Sequence, residues 1–281
     1  VIDLHVHSTA SDGSDPPADI PRLAAEAGVT AVALTDHDIV DGLADAAVAA
    51  EAVGVRLVRG CELSCEVEAG TMHLLALFLD GDDGPLQARL AGLRDGRSGR
   101  NERIVEVLRA NGMDVSLEEI LEEAGGGTVG RPHIAAVLLR HGYVASIQEA
   151  FDLWLAKGRP AYADRDRLSP EEAVDLTRRS GAVAVLAHPL SLDRTPDDLE
   201  AFVAHLAALG LDGMEVEYGR YAPDERAGLR ALADRHGLCP SGGSDYHGTY
   251  KPDLSIGTGR GDLDVPDEWL DALEARRPSG G

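Results

Sequence analysis

The sequence predicts an α/β domain of barrel-like arrangement, interrupted by a helical insertion. Three observations carry this class. Short apolar runs alternate with helical stretches at both ends of the chain, the alternation stops in the middle, and polar ligand-type residues recur where the apolar runs end. Alternation of strand and helix implies parallel strands joined by right-handed crossovers. The chain of 281 residues is long enough to bury a full core.

The elements follow in order. "VIDLHVH" reads as a strand, and "DPPADIPRLAAEAG" as a helix with prolines near its start and Gly28 after its end. "VTAVALTDH" is a second strand and "DGLADAAVAAEAVG" a second helix, while "VRLVRGCELSCEVE" is a third strand turning into a hairpin with "TMHLLALFL". Four segments then look helical with no strand between them: "PLQARLAGLRDGRSGRNERIVEVLRANG", "SLEEILEEAG", "RPHIAAVLLRHG" and "SIQEAFDLWLAKG". The alternation resumes as helix "SPEEAVDLTRRSG", strand "AVAVLAHP", helix "PDDLEAFVAHLAALG", strand "LDGMEVEYG", helix "DERAGLRALADRHG" and strand "CPSGGSDYH". The expected division is a barrel domain in two parts, 1–81 and 166–281, around a helical insertion at 82–165.

Composition narrows the function. The longest apolar stretches fall far short of the roughly 20 residues that cross a bilayer, so no membrane span is expected. No charged, apolar, small-residue leader stands at the N-terminus, and a cytoplasmic location is the default expectation. Three cysteines, Cys61, Cys65 and Cys239, do not form a disulfide framework and read as small buried residues. A formal charge of −23 repels extended nucleic acid and argues against a general nucleic-acid coat protein. The cations comprise 24 Arg and 2 Lys, a skew that makes arginine abundance alone no sign of phosphate binding.

The strand ends carry the chemistry. His5 and His7 lie two residues apart, so a strand presents both imidazoles on one side. Asp36 and His37 end the second strand, Glu62 lies in the third, His188 ends "AVAVLAHP", and Asp245 and His247 end "CPSGGSDYH". In parallel α/β barrels the carboxyl ends of the strands converge on one face. With Asp12 from the first loop and His73 from the hairpin, the set holds six imidazoles and three carboxylates, enough for two or three divalent ions.

"DLHVHSTASDG", "LTDHD", "GCE", "LAHP" and "GSDYHG" resemble the successive motifs of the PHP (polymerase and histidinol phosphatase) superfamily, over residues 1 to about 80 and 165 to 257. The resemblance implies a distorted seven-stranded β/α barrel with an inserted small helical domain and a trinuclear metal centre. It assigns His5, His7, Glu62 and Asp245 to a first ion, Asp12, His37 and His247 to a second, and Glu62, His73 and His188 to a third. The inserted "GRNERIVEVLRANG", "GRPHIAAVLL" and "KGRPAY" are similar to the branch holding nucleoside 3′,5′-bisphosphate phosphatases and 5′-to-3′ oligoribonucleotide exonucleases.

The chemistry this implies is attack on phosphorus by a metal-bound hydroxide, with ions and arginines neutralising the phosphoryl oxygens. Mn²⁺ is the expected ion, and Fe²⁺ and Zn²⁺ also suit imidazole and carboxylate ligands. Arg100, Arg131 and His133 are the candidate phosphate clamps, with Lys157 and Arg159 behind them; Arg94, Arg97, Arg100 and Arg103 recur at a three-residue spacing. Asp36 and Asp38 flank His37 and could orient it or simply structure the loop, and Glu215 and Glu217 end a strand and could face the site, although the motif gives them no metal role. Phe151 and Trp154 read as packing residues, and His141, His205 and His236 as surface or capping residues. The expected partner is a small phosphorylated substrate or short oligoribonucleotide, with no membrane and no stable protein partner. The rival readings are a histidinol-phosphate phosphatase, a noncatalytic polymerase-associated module and a metal-dependent deacetylase or amidohydrolase.

Overall fold

Seven strands follow one another around a single sheet in chain order. They are β1 (Ile2–Val6), β2 (Ala31–Leu34), β3 (Arg56–Cys65), β4 (Met72–Leu77), β5 (Val183–Ala187), β6 (Gly213–Tyr218) and β7 (Cys239–Gly243). This computed structural model describes residues 1–81, 84–125, 129–163 and 167–278, apart from the side chains of 94–98. The β1–β2–β3 and β5–β6–β7 pairings are parallel, and the hairpin makes β4 antiparallel to both β3 and β5. Beyond β7 the chain meets β1 again: Asp245 N donates to His5 O at 2.8 Å and His7 N to Tyr246 O at 3.0 Å. The sheet is thereby nearly closed into a barrel, with β7 tight against β1. A Cβ added at Gly243 would lie 2.4 Å from the His5 Cβ, so this position takes only glycine without displacing a neighbour.

Helices cover the outside: α1 (Ile20–Glu26), α2 (Leu43–Val53), α3 (Pro85–Ala110), α4 (Leu117–Glu123), α5 (Arg131–Arg140), α6 (Ile147–Ala150), α7 (Pro170–Arg179), α8 (Pro196–Leu209), α9 (Pro223–Arg235) and α10 (Glu268–Glu274). Ser169 and Thr195 start α7 and α8 by accepting a hydrogen bond from the backbone three residues on. Among the described residues no helix is long and apolar enough to cross a membrane.

The barrel interior is filled by Ile2, Leu4, Ala33, Val58, Leu75, Val185 and their neighbours, and a second apolar layer lies between strands and helices. Leu4 belongs to the interior cluster, whereas Val6 packs outward with Ile20 and Val32. Side-chain parity therefore reverses along β1, where its register with β2 is irregular between Asp3 and Val6. This reversal seats His5 and His7 directly above the apolar plug.

The helices between β4 and β5 enclose an apolar cluster of their own, built on Ile104, Leu108, Ile120, Ile134, Leu138 and Leu155. Two elements differ from the sequence reading. The first expected helix begins as a 3₁₀ turn (Pro17–Asp19) before α1, where Pro21 has no N–H to donate to the Pro17 carbonyl four residues back. "SIQEAFDLWLAKG" yields only α6 and one π turn (Phe151–Leu155), after which the chain is extended at Ala156. The sequence reading did not anticipate α10, which places Leu270 and Leu273 against the barrel interior.

Candidate metal centre

All nine strand-end residues meet at one mouth of the barrel. Glu62 lies at the centre. Its Oε2 is 3.2 Å from His5 Nε2, 3.0 Å from His7 Nε2 and 3.1 Å from His37 Nδ1, and its Oε1 is 2.8 Å from His73 Nδ1 and 3.0 Å from His188 Nε2. Asp245 Oδ1 approaches His5 and His7 at 3.6 and 3.4 Å, and Asp12 Oδ1 approaches His247 at 3.2 Å. Three overlapping sets have ligand atoms all within 4.8 Å of one another: His5, His7, Glu62 and Asp245; His7, Asp12, His37 and His247; and His37, Glu62 and His73. His188 joins the last through Glu62 and through His73 Nδ1, 3.2 Å from its own Nε2.

Partners outside the cage fix which nitrogen faces inward. His5 Nδ1 lies 3.1 Å from Glu215 Oε1, a contact that keeps a proton on Nδ1 and turns Nε2 toward the cage. The His247 Nδ1 donates to the Asp245 carbonyl at 2.9 Å. His188 Nδ1 donates to Ser191 Oγ at 2.8 Å, whose own proton goes to Thr71 O at 2.8 Å. His188 and Asp245 both have left-handed backbone, φ 25° and 56°, held by bonds from their N–H groups to Glu215 and His5.

The donor set fits divalent cations. His5 Nε2, both nitrogens of His7 and Glu62 Oε2 are buried and make no hydrogen bond, although each has a ligand-type neighbour within 3.6 Å. Buried polar atoms are normally paired, so unpaired ring nitrogens and a carboxylate oxygen converging in this way suit an ion. Electrostatics agree. Burial opposes ionisation of Glu62, yet His73, His37 and His5 hold it well below the usual carboxylate range. Burial likewise opposes ionisation of Asp245 and Asp12, and Lys251 with His247, and His37 with His247, hold them low. Burial also opposes protonation of His7, but Asp245 and Glu62 push it up to about 9, while burial drives His37 down to about 3.

Asp36 and Asp38 brace the loops on either side of His37. Asp36 accepts from Ser8 N and Oγ at 2.8 and 2.7 Å and from Ser11 Oγ at 2.6 Å, bracing the loop that carries Asp12. Asp38 accepts from Ser64 N at 2.7 Å and ties the loop after β2 to β3.

Above the cage opens a cavity of about 780 Å³, walled by the barrel mouth on one side and the inserted helices on the other. Six cations line it, Arg100, Arg131, Lys157, Arg167, Arg220 and Lys251, against one carboxylate, Asp12, among the described residues. In so acidic a chain this is a local reversal of charge. Arg100 is buried, with Nε and Nη2 donating to Asn101 Oδ1 at 3.3 and 2.9 Å. Arg131 donates to Leu155 O at 2.9 Å and lies over the Phe151 and Tyr162 rings. His133 does not line the cavity. It is buried behind the wall, its Nδ1 accepts from Gly130 N at 3.0 Å, and its ring meets the edge of Tyr250. Lys157 binds the Val67 and Glu68 carbonyls at 3.0 Å each, Arg103 and Arg159 are exposed, and the side chains of Arg94 and Arg97 lie outside the described residues. Phe151 and Trp154 pack against the apolar cluster of the inserted helices, and Phe151 also lines the cavity. His141, His205 and His236 each face a surface glutamate.

Sequence reasoning gave Glu215 no part in orienting the His5 imidazole and the His188 backbone, and missed Arg167, Arg220, Lys251, Tyr162 and Tyr250 as cavity residues. One signal was available. Both lysines of the chain, Lys157 and Lys251, line the cavity.

A barrel mouth carrying this cage defines a metal-dependent hydrolase fold, and a profile of the PHP domain matches residues 3–124. The chain belongs to the PHP family. It is 33% identical to a 3′,5′-nucleoside bisphosphate phosphatase of Chromobacterium violaceum, over 91% of this chain and 90% of that protein. It is 34% identical to the 5′-3′ exoribonuclease Rnm of Escherichia coli, over 88% of this chain and 85% of that protein. A solved structure from Bifidobacterium adolescentis, assigned to the metal-dependent phosphoesterases, superposes with a TM-score of 0.88 at 29% identity, covering 99% of this chain and 96% of its own.

Proposed function

We propose that this protein is a divalent-cation-dependent phosphoesterase. It removes a terminal phosphate from a small nucleotide, a nucleoside 3′,5′-bisphosphate, or acts on the 5′ end of short oligoribonucleotides. One observation carries the reading: a cage of six imidazoles and three carboxylates opens into a cavity whose wall carries six cations and the rings of Phe151, Tyr162 and Tyr250. The similarity to the bisphosphate phosphatase and the exoribonuclease supports the same substrate class.

His5, His7, Glu62 and Asp245 would hold one ion, Asp12, His37 and His247 a second, and Glu62, His73 and His188 a third, with His7 and His37 within reach of two sets. Bound cations supply Lewis acidity that draws negative charge from a phosphoryl group. Mn²⁺ is the ion proposed, since hard carboxylates and imidazoles without thiolate suit it. Arg100 and Arg131 bind phosphate oxygens through their guanidinium edges, and Lys251 adds charge beside Asp245. Tyr250 and Phe151 offer faces to a base, and the inserted helices limit access of water. The three cysteines are buried free thiols, which suits a reducing cytoplasm. The cavity volume suits a nucleotide rather than the smaller histidinol phosphate.

The test is phosphate release from adenosine 3′,5′-bisphosphate by metal-stripped protein reloaded with Mn²⁺. Release that depends on Mn²⁺ and is lost in His188→Ala is expected. No release from a protein shown to have bound its cations sinks the reading.

A further inference from the structure

Tyr218 reaches the cage from a position that strand alternation alone would turn away from it. On β6, Met214 and Val216 belong to the outer apolar layer with Leu229 and Leu232 of α9, and Glu215 points inward to His5. Strict alternation would set Glu217 inward and Tyr218 outward. The register of β6 with β7 is irregular between Glu215 and Glu217, and beyond it the order is reversed. Glu217 turns out to Arg226 and Arg230, at 3.4 and 2.5 Å, while Tyr218 pairs with Gly243 and turns in. An extra residue in a strand re-aims the side chains that follow, a device common beside active sites.

The buried phenol meets one carboxylate: its hydroxyl donates to Asp245 Oδ2 at 2.7 Å, the oxygen that Lys251 Nζ also binds. Asp245 Oδ1 is left to face the imidazoles, with His5 and His7 Nε2 at 3.6 and 3.4 Å. The Tyr218 ring meets His188 edge-on, centroids 5.5 Å apart, and lies 4.7 Å from the Tyr221 ring, whose hydroxyl accepts instead from Leu190 N at 2.9 Å. We infer that Tyr218 is a positioning residue of the cage, which holds Asp245 so that Oδ1 is the oxygen presented to a cation. This inference rests on the cage holding cations, as the phosphoesterase reading requires. Both oxygens of a carboxylate accept, and its last torsion is broad, so donors must claim one oxygen to present the other. Lys251 offers a charge on a long flexible stem that also lines the cavity. Tyr218 offers a rigid donor packed against a second proposed ligand, His188.

The experiment measures Mn²⁺ binding by calorimetry on metal-stripped Tyr218→Phe and on the control Tyr221→Phe, each losing one hydroxyl and keeping its ring. Tyr218→Phe should bind about 10–100-fold more weakly, the factor expected of an outer partner of a metal ligand, and Tyr221→Phe as the wild type does. Equal affinity in Tyr218→Phe and the wild type overturns the inference. An equal loss in both variants also overturns it, since packing alone would then explain the effect. A double-mutant cycle tests the route: in Asp245→Ala, where the acceptor is gone, adding Tyr218→Phe should change the remaining affinity no further. A further loss of about tenfold there overturns the action through Asp245. If the wild type binds no Mn²⁺, the cation reading falls and the inference with it. Mn²⁺ binding without phosphate release removes the phosphoesterase reading alone, and the same comparison of variants still decides the role of Tyr218.

Discussion

Glu215 Oε1 stands 3.1 Å from His5 Nδ1, and the other oxygen of the same carboxylate accepts from the backbone N of His188 at 2.7 Å. One buried side chain on β6 thus sets the ring of one proposed ligand and the strained backbone of another. In Glu215→Gln the amide keeps the shape but can satisfy only one of these donors. Such outer partners are worth about 10–100-fold in metal affinity. We expect Mn²⁺ affinity to fall by that factor, read by calorimetry on metal-stripped protein, with the circular dichroism spectrum retained. Affinity equal to that of the wild type would remove Glu215 from the support of the cage.

Gly243 lets β7 lie against β1 beneath His5. In Gly243→Ala the new methyl meets the His5 Cβ and backbone N, neither the free end of a flexible chain. Overpacking of this kind costs about 1–3 kcal/mol. The control is Gly228→Ala in α9, where a Cβ meets open space and should stabilise by about 0.4–1 kcal/mol. Urea denaturation of both variants checks the pair, and opposite signs are expected.

Lys251 Nζ lies 2.5 Å from Asp245 Oδ2, which also accepts from the Tyr218 hydroxyl at 2.7 Å. In Lys251→Met the stem stays and the charge leaves both Asp245 and the cavity. Loss of a charged hydrogen bond here should lower kcat/KM for a nucleoside bisphosphate about 10-fold to 100-fold. Steady-state kinetics provides the check, and an unchanged value would leave Lys251 a structural residue.

The cage was legible in the sequence because its residues are of rare types placed at strand ends, where barrel topology makes positions distant in sequence converge. Five short motifs sufficed. The cationic wall was less legible for a physical reason: in a chain with 24 arginines, Arg167 and Arg220 do not differ from surface neighbours until the fold brings them to the cavity wall. His133 shows the converse. Its position beside Arg131 suggested a clamp, but α5 begins at Arg131 and the imidazole turns back to accept from Gly130 N at the helix start. Helical geometry separates neighbours in sequence that a motif treats as one unit. The reversal of parity in β1 is likewise a property of register, which strand alternation alone does not contain.

The pH dependence follows from His5 and His7. Burial opposes their protonation, yet Glu62, Glu215 and Asp245 raise His5 well above its usual value, and Asp245 with Glu62 pushes His7 up to about 9. A histidine whose pKa is raised by folding contributes stability that is full below its unfolded value of about 6.5 and is lost as pH rises through the folded value. His37, His73 and His247 have the opposite sign: burial lowers each, so their contribution is lost as pH falls below about 6.5. Cation-free protein should therefore be most stable near pH 6.5 and lose Tm between there and about 9. Cations compete with the protons on His5 and His7, so the rise in Tm on adding Mn²⁺ should grow across that same window. Thermal unfolding with and without Mn²⁺ across the window measures both effects. A Mn²⁺-induced rise independent of pH would mean that these imidazoles do not exchange protons for cations.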